Sequence, residues 1–436
     1  MARAGGGVMT RATGPTDARA RIVALDFVRG FAVLGILLAN ITAFAQSDLA
    51  YYWPPAMPGG ATRGDELIWL AQLVLVDGKF RGLFTLLFGA GMALFADRAA
   101  QPGSATGRQI TRLLWLGLFG LLHFYLLFTG DILFVYAIGG LVALLALDWE
   151  AGKLFYVGCG WALIGAALSL SSYAPSALAE MSPALFDPFA QQSLADYAQA
   201  RIAEASALLS VHSDGSFWQI VHYRLVENSA DLIHYAESAL LETAPLILIG
   251  MGLYRCGLFH SADLRRRWRV WAWVGLLLGS ALNFAAGLFL LRQGFPLFQT
   301  QAAYFGLLAL TNLPVLPAAM LLLTDWSMAI RASWLHDRLV AAGRMAFSNY
   351  IGTSLVMVLI FQGWAGGLAG TMHRTELLLI VALGWALMLT FSRLWLARFR
   401  YGPLEWMWRC LTYGQFFANR LAETYAADVR DQDTIQ

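Results

Sequence analysis

In the stretch LLHFYLLFTGDILFVYAIGGL, residues 121–141, His123 and Asp131 stand in otherwise apolar sequence. Ionisable groups in such runs are costly to bury and are functional candidates by default. The two apolar arms meet at TGD, a link so short that they must run antiparallel. The imidazole and the carboxylate can then approach within hydrogen-bonded or water-bridged distance. A carboxylate that orients an imidazole makes it a general base at neutral pH. Acyl transfer needs such a base to deprotonate an acceptor hydroxyl, unless the histidine itself carries the acyl group. The plainer roles are a helix N-cap for Asp131 and a buried interhelical hydrogen bond for His123.

Four more polar residues are expected on the same face as substrate contacts. Lys79, in the DGK interruption of an apolar run, suits an anionic acceptor or an oxyanion; a lysine snorkelling to the interface is its structural alternative. Asn40 ends the first apolar segment and offers an amide donor to a carbonyl oxygen, or a plain C-cap. Arg224 follows GSFWQIVHY, with a surface ion pair as its alternative, and Glu242 opens the sixth apolar segment, placed to pair with one of these cations.

A donor-binding set is expected at the opposite face. Asp26 and Arg29 are one helical turn apart; Arg344, Asn349, Tyr350 and Ser354 fall on GRMAFSNYIGTS; Arg398, Arg400, Glu405 and Arg409 flank GPLEW. Asp26–Arg29 and Glu405–Arg409 have helical pair spacing. A pocket rimmed by arginines suits phosphate or pyrophosphate, as in an acyl-coenzyme A donor, although simple membrane anchoring asks for the same residues. There is no Gly-rich phosphate loop. His212, His222 and His234, at intervals of ten and twelve, fit no compact metal motif, so neither a metal nor a tightly bound cofactor is expected.

The elements that must position these residues are membrane helices. Of 436 residues, 58% are apolar and 13% charged, about half the charged share of a soluble protein. A net charge of +2 gives no sign of a nucleic-acid partner; the lipid bilayer is the expected one. Ten apolar segments are predicted: 27–45, 67–96, 112–129, 131–147, 154–172, 239–255, 270–291, 303–324, 344–362 and 376–397. The second is too long for one straight helix and is expected to break near residue 80. With both termini inside, 23 of the 30 Lys and Arg fall in inside segments. Outside loops hold Arg63, Arg201, Arg224, Arg292 and Arg374, a bias that predicts cytoplasmic termini.

The expected organisation is a disordered, uncleaved cytoplasmic N-terminus over 1–22 and five helices over 23–172. An exterior acidic insertion over 173–238 follows, then a second transmembrane half over 239–415 and a cytoplasmic tail over 416–436. Within the insertion, SLADYAQARIAEASALL predicts a helix capped by Ser193, and FWQIVHYRLVENSADLIHY an amphipathic helix against the bundle mouth. Cys159, Cys256 and Cys410 avoid that insertion, so no structural disulfide is expected.

The stretches RIVALDFVRGFAVLGILLANITAF, GKFRGLFTLLFGAGMALF, HFYLLFTGDILFVYA, GRMAFSNYIGTSLVMVLIF and LARFRYGPLEWMWRCLTYG resemble the YeiB-like family of bacterial membrane proteins. The C-terminal region of that family is known as domain of unknown function 418. The resemblance runs from about residue 20 to 415 and implies a multi-pass protein of the bacterial inner membrane without an assigned reaction. More distantly, LDFVRGFAVLGILLAN looks like the opening D..RG helix of membrane acyltransferases of the heparan-glucosaminide acetyltransferase type. In those enzymes an Asn follows RG by about ten residues, as Asn40 does here. They also carry a functional His in the next loop, where this chain has QSDLAYYWPPAMPGGATRGDE and no His.

The expectation is therefore an all-α membrane bundle of about ten helices that moves an acyl group from a cytoplasmic carrier to an envelope or small-molecule acceptor. A permease for a small polar or anionic solute is the main alternative. A broken second helix favours it, and the lack of an internal repeat speaks against it. A sensor or scaffold would tolerate loss of His123.

Overall fold

The computed structural model describes residues 22–98 and 102–421. The disorder expected for the N-terminus and most of the C-terminal tail lie outside those residues. Among the described residues every regular element is helical.

The first crossing is α1, Val23–Ala45, whose only charged residues are Asp26 and Arg29 in its first turns. Short α2, Asp48–Tyr52, leads to α3, Arg63–Leu75, which starts at a capping box between Thr62 and Asp65. The chain breaks at Gly78, whose φ of 73° is left-handed and suits only glycine at low cost. It resumes as α4, Lys79–Asp97. Thus the DGK interruption is a true break. Long α5, Pro102–Leu126, and short α6, Leu133–Ala143, form the antiparallel pair read from residues 121–141.

Helix α7, Ala151–Met181, extends past any bilayer thickness into the insertion. There α8, Pro188–Asp214, is capped by Asp187 and not by Ser193, which sits inside the helix and donates to the Phe189 carbonyl. The expected amphipathic helix is split into α9, Phe217–Val226, and α10, Asp231–Ser238. A π-helical stretch, Ala239–Thr243, joins α10 to α11, Ala244–Arg255. Next come α12, Ala262–Arg292, and α13, Leu297–Gln301, joined through a second π stretch to α14, Leu308–Ala329. Amphipathic α15, Trp334–Arg344, turns through 83° into α16, Ala346–Phe361. The fold ends with α17, Arg374–Leu396, and amphipathic α18, Pro403–Tyr413.

Seven helical spans are long and apolar enough to cross a membrane, and eight if the bent α15–α16 pair counts as one. Two of the ten expected segments fall short of that standard. Helix α4 holds Lys79, Arg81 and Asp97, and α6 with its terminal turn covers only Leu133–Ala146.

The bundle is held by close helix approaches and two adjoining apolar clusters around α1. At the α1–α15 crossing, a β-carbon on Gly30 would overlap the Leu339 carbonyl, and one on Gly343 the Asp26 carbonyl. Backbones can meet this closely only where both residues are small. The end of the bundle beneath α8–α10 is the insertion side. It also holds the 362–373 loop, where Gly363 N–H donates to the His212 carbonyl.

Candidate functional site

The TGD link brings α5 and α6 together as the sequence demands, and α16 supplies a third member. His123 Nδ1 lies 2.8 Å from Asp131 Oδ2, and His123 Nε2 lies 2.8 Å from Ser354 Oγ. All three residues are at most 3% exposed. A carboxylate only accepts, so the proton of the neutral ring sits on Nδ1 and Nε2 is left to accept from the Ser354 hydroxyl. Asp131 also keeps its capping role, because Oδ1 accepts from Phe134 N–H at 2.7 Å in the first turn of α6. The two roles expected as alternatives are therefore filled by separate oxygens of one carboxylate.

Aromatic rings fix the imidazole. Tyr350 packs 4.9 Å from it, and the Tyr350 hydroxyl accepts from Ile132 N–H at 3.3 Å. Phe128 lies on another side and stacks on Phe44 of α1 at 3.9 Å. Ser354 also lies 3.2 Å from the Tyr350 carbonyl one turn back, an alternative acceptor for its hydroxyl. Ser354 lines a cleft of about 10 Å³ between α1 and α16, with room for about one water. Val33, Leu37 and Phe44 form its apolar wall, and Asn40 and Thr353 its polar rim. The Asn40 amide makes no side-chain hydrogen bond among the described residues and is half-buried. A serine hydroxyl, an imidazole and a carboxylate thus form one hydrogen-bonded chain, and the Asn40 amide lines the same cleft as the serine.

The other expected substrate contacts do not join this group. Lys79 is buried, and it does not snorkel: its Nζ donates to the Leu73 carbonyl at 3.0 Å and the Asp77 carbonyl at 3.3 Å, closing the helix break. Around that break lies a polar network which the sequence did not single out. Tyr51 donates to Asp77, and Asn312 to the Asp77 carbonyl. Arg374 donates to Gln72 and to the Ala50 and Tyr51 carbonyls. Glu242, in the π stretch, pairs with neither Lys79 nor Arg224. It receives two bonds from Arg81 at 2.6 and 2.8 Å. Arg224 is 2% exposed, and no ion pair forms there among the described residues, so the surface-pair alternative fails.

The expected donor set likewise divides. Tyr350 belongs to the His123 site. Asn349 is buried and donates to the Ala342 carbonyl and to Ser392, which ties α15 and α17 to α16. Glu405 does not pair with Arg409. Its carboxylate accepts from Phe347 N–H at 2.8 Å, Ser348 N–H at 3.1 Å and the Ser348 hydroxyl at 2.5 Å, and so caps the bare start of α16. Arg409 instead stacks among Tyr401, Tyr413 and Phe417. Asp26 and Arg29 form the expected pair at 2.9 Å, Arg344 donates to the Arg400 carbonyl, and Arg398 is exposed. Arg112 lies over Trp408, which gives this face a collar of arginines and aromatic rings.

Sequence adjacency alone groups Ser354 with the arginine set. A signal for its real place exists: Phe347, Tyr350 and Ser354 recur at helical spacing, and Phe347 packs on Phe119 of α5, one turn before His123.

No solved structure matches this chain. Residues 253–415 match the family model described as "Protein of unknown function (DUF418)". The uncharacterized protein YeiB of Escherichia coli is 31% identical over 409 residues, 90% of this chain and 96% of that protein. The uncharacterized protein YxaH of Bacillus subtilis is 28% identical over 420 residues, 92% and 96% of the two chains. With this identity sustained along nearly its whole length, on a bundle of apolar helices, the chain belongs to the YeiB-like family of membrane proteins.

Proposed function

We propose that this protein is a membrane acyltransferase that works through a serine relay. The observation that carries the proposal is His123 held between Asp131 and Ser354 at 2.8 Å on each side. In the first half-reaction Ser354 Oγ attacks the acyl carbonyl carbon of the donor, and its proton passes to His123 Nε2. The bond to the carrier then breaks, and the carrier leaves with that proton. In the second half-reaction His123 takes a proton from the acceptor hydroxyl or amine, which attacks the serine ester; Ser354 regains its proton as the ester breaks. Asp131 Oδ2 stabilises the transient imidazolium, and the Asn40 amide is available to the oxygen that becomes negative. The apolar cleft wall suits an acyl chain. At about 10 Å³ the cleft is too small for an acyl chain, so substrate entry requires α1 and α16 to part there.

We assign the insertion to the outer side of a bacterial inner membrane, with both termini cytoplasmic, from the arginine bias. An acyl-coenzyme A donor then approaches from the side of Arg29, Arg112 and Arg409, and the acceptor from the insertion side. A permease is the second reading, favoured by the break at Gly78 and its buried polar network.

The test uses purified protein in nanodiscs, with a fluorophosphonate probe for Ser354 and acetyl-coenzyme A as donor. Labelling and donor turnover in the wild type, both lost in Ser354→Ala and His123→Ala, support the relay. A folded wild type that neither labels nor turns over any acyl carrier rejects it. Solute counterflow in proteoliposomes that survives Ser354→Ala establishes the permease instead.

A further inference from the structure

Three arginines are buried among the described residues: Arg224, Arg265 and Arg374. Two of them are well supplied with acceptors. Arg265 donates to Asp325 and to the Leu258 carbonyl, both at 2.8 Å. Arg374 donates to Gln72 and two carbonyls. Arg224 differs. Its one hydrogen bond among the described residues is a long one, 3.4 Å, to the Tyr125 carbonyl, and its Nε is buried with no partner there. No carboxylate reaches it among the described residues, although the insertion is rich in them. Arg201, by contrast, is paired with both Asp48 and Glu204. A buried guanidinium without an anion is strongly disfavoured, because desolvation is left uncompensated. Here burial alone pushes the Arg224 guanidinium down to about 10.

A second orphan lies within reach of its charge. His212 Nε2 is buried without a partner. Burial, and then the charge of Arg224, push the imidazole down to about 3, so it is neutral at pH 7 and presents one N–H. Both residues touch the helices of the serine relay. Tyr125 lies two residues beyond His123 on α5, about 3 Å further along the axis. The His212 carbonyl accepts from Gly363, two residues past the end of α16, the helix that carries Ser354.

We infer that Arg224 and His212 form an oxyanion-binding subsite on the insertion side of the Ser354–His123 centre. The ligand group is a carboxylate or phosphate, which the planar guanidinium fork binds with two hydrogen bonds while the imidazole supplies a further donor. The substrate class follows from the placement. It is an amphiphile whose anionic head sits at Arg224 and whose reacting group extends towards Ser354. This deepens the acyl-transfer proposal and rests on it for the reacting group, but not for the anion site. The same head-group chemistry is offered by a soluble carboxylate or phosphate and by an anionic lipid.

The experiment uses the full chain in phosphatidylcholine nanodiscs, with and without phosphatidylglycerol. Inorganic phosphate and succinate are titrated by calorimetry into wild type, Ser354→Ala, Arg224→Gln and Arg224→Lys, and thermal midpoints are recorded. The expected result is binding of at least one soluble anion to wild type and Ser354→Ala alike, with affinity reduced by roughly tenfold or more in Arg224→Gln. Arg224→Lys keeps the charge without the fork and is expected to fall between; it carries the comparison if Arg224→Gln does not fold. Stabilisation by phosphatidylglycerol alone, lost with Arg224, identifies the anion as a lipid head group. Absence of binding and of lipid stabilisation in wild type overturns the inference, as does equal behaviour in the Arg224 variants. Fluorophosphonate labelling in the same samples reads the relay separately. Anion binding without labelling removes the relay and keeps the subsite; labelling without anion binding does the reverse.

Discussion

Replacing Asp131 by Asn separates the two tasks of its carboxylate. Oδ1 caps α6 through Phe134 N–H at 2.7 Å, and an Asn oxygen can keep that bond. Oδ2 accepts from His123 Nδ1 at 2.8 Å, and an Asn NH2 cannot. The amide instead donates to Nδ1, which moves the ring proton to Nε2. That N–H then points at Ser354 and cannot accept its proton. Fold stability should fall by only about 1 kcal/mol, the net worth of one hydrogen bond. Fluorophosphonate labelling of Ser354 should fall about 10⁴-fold, the effect of a wrong tautomer in a serine relay, equivalent to about 5.5 kcal/mol of barrier. Asp131→Ala provides the contrast. It removes the cap, about 1 kcal/mol, and strands a buried imidazole N–H, about 1–3 kcal/mol more. Thermal unfolding in nanodiscs should therefore show Asp131→Ala well below Asp131→Asn, while both label poorly. Labelling of folded Asp131→Asn within threefold of wild type would refute the tautomer argument.

Glu405→Ala should destabilise the protein by about 2–4 kcal/mol, because it leaves the Phe347 and Ser348 amides at a part-buried helix start without acceptors. Thermal unfolding checks this, and an unchanged midpoint would show that α16 needs no cap. Gly30→Ala should disrupt the α1–α15 crossing by about 3 kcal/mol or more, since the added carbon meets backbone that cannot rotate away; undiminished yield and stability would contradict the crossing. The Arg81–Glu242 pair has side chains 41% and 36% exposed, so a double-mutant cycle should give only about 1 kcal/mol of coupling. A coupling several times larger would mean the pair is shielded from water. The insertion should loosen as pH falls from about 6.5 towards about 3. His212 has its folded value depressed, so its contribution is complete above the unfolded value and is lost on acidification. Limited proteolysis of wild type beside His212→Gln checks it; identical profiles over that window exclude His212 as the cause.

Much of the candidate site was legible because it depends on neighbours in sequence. His123 and Asp131 are eight residues apart, and a two-arm turn of three residues leaves them little choice but to meet. The break at Gly78 was readable because an apolar run longer than a bilayer thickness contains a glycine beside two charges. Capping choices were less secure. Asp187 outcompeted Ser193 because Pro188 sets the first helical turn there. Glu405 and Arg409 have pair spacing on α18, yet the carboxylate goes to amides of α16 that have no other acceptor.

The sequence by itself determined that this chain is a multi-helix membrane protein of the YeiB-like family, where its second segment breaks, and that an imidazole and a carboxylate share one turn. Composition, apolar length and local spacing suffice for these. Only the tertiary structure decided that Ser354, 231 residues from His123, meets its Nε2, and that Glu242 pairs with Arg81 across 161 residues. It also decided that Arg224 is buried with no carboxylate against it among the described residues. The physical reason is that helix periodicity states which face a polar side chain occupies, but not which helix lies against that face. That choice is made by close approaches between backbones, such as Gly30 on α15, and by buried donors and acceptors that must be matched all at once.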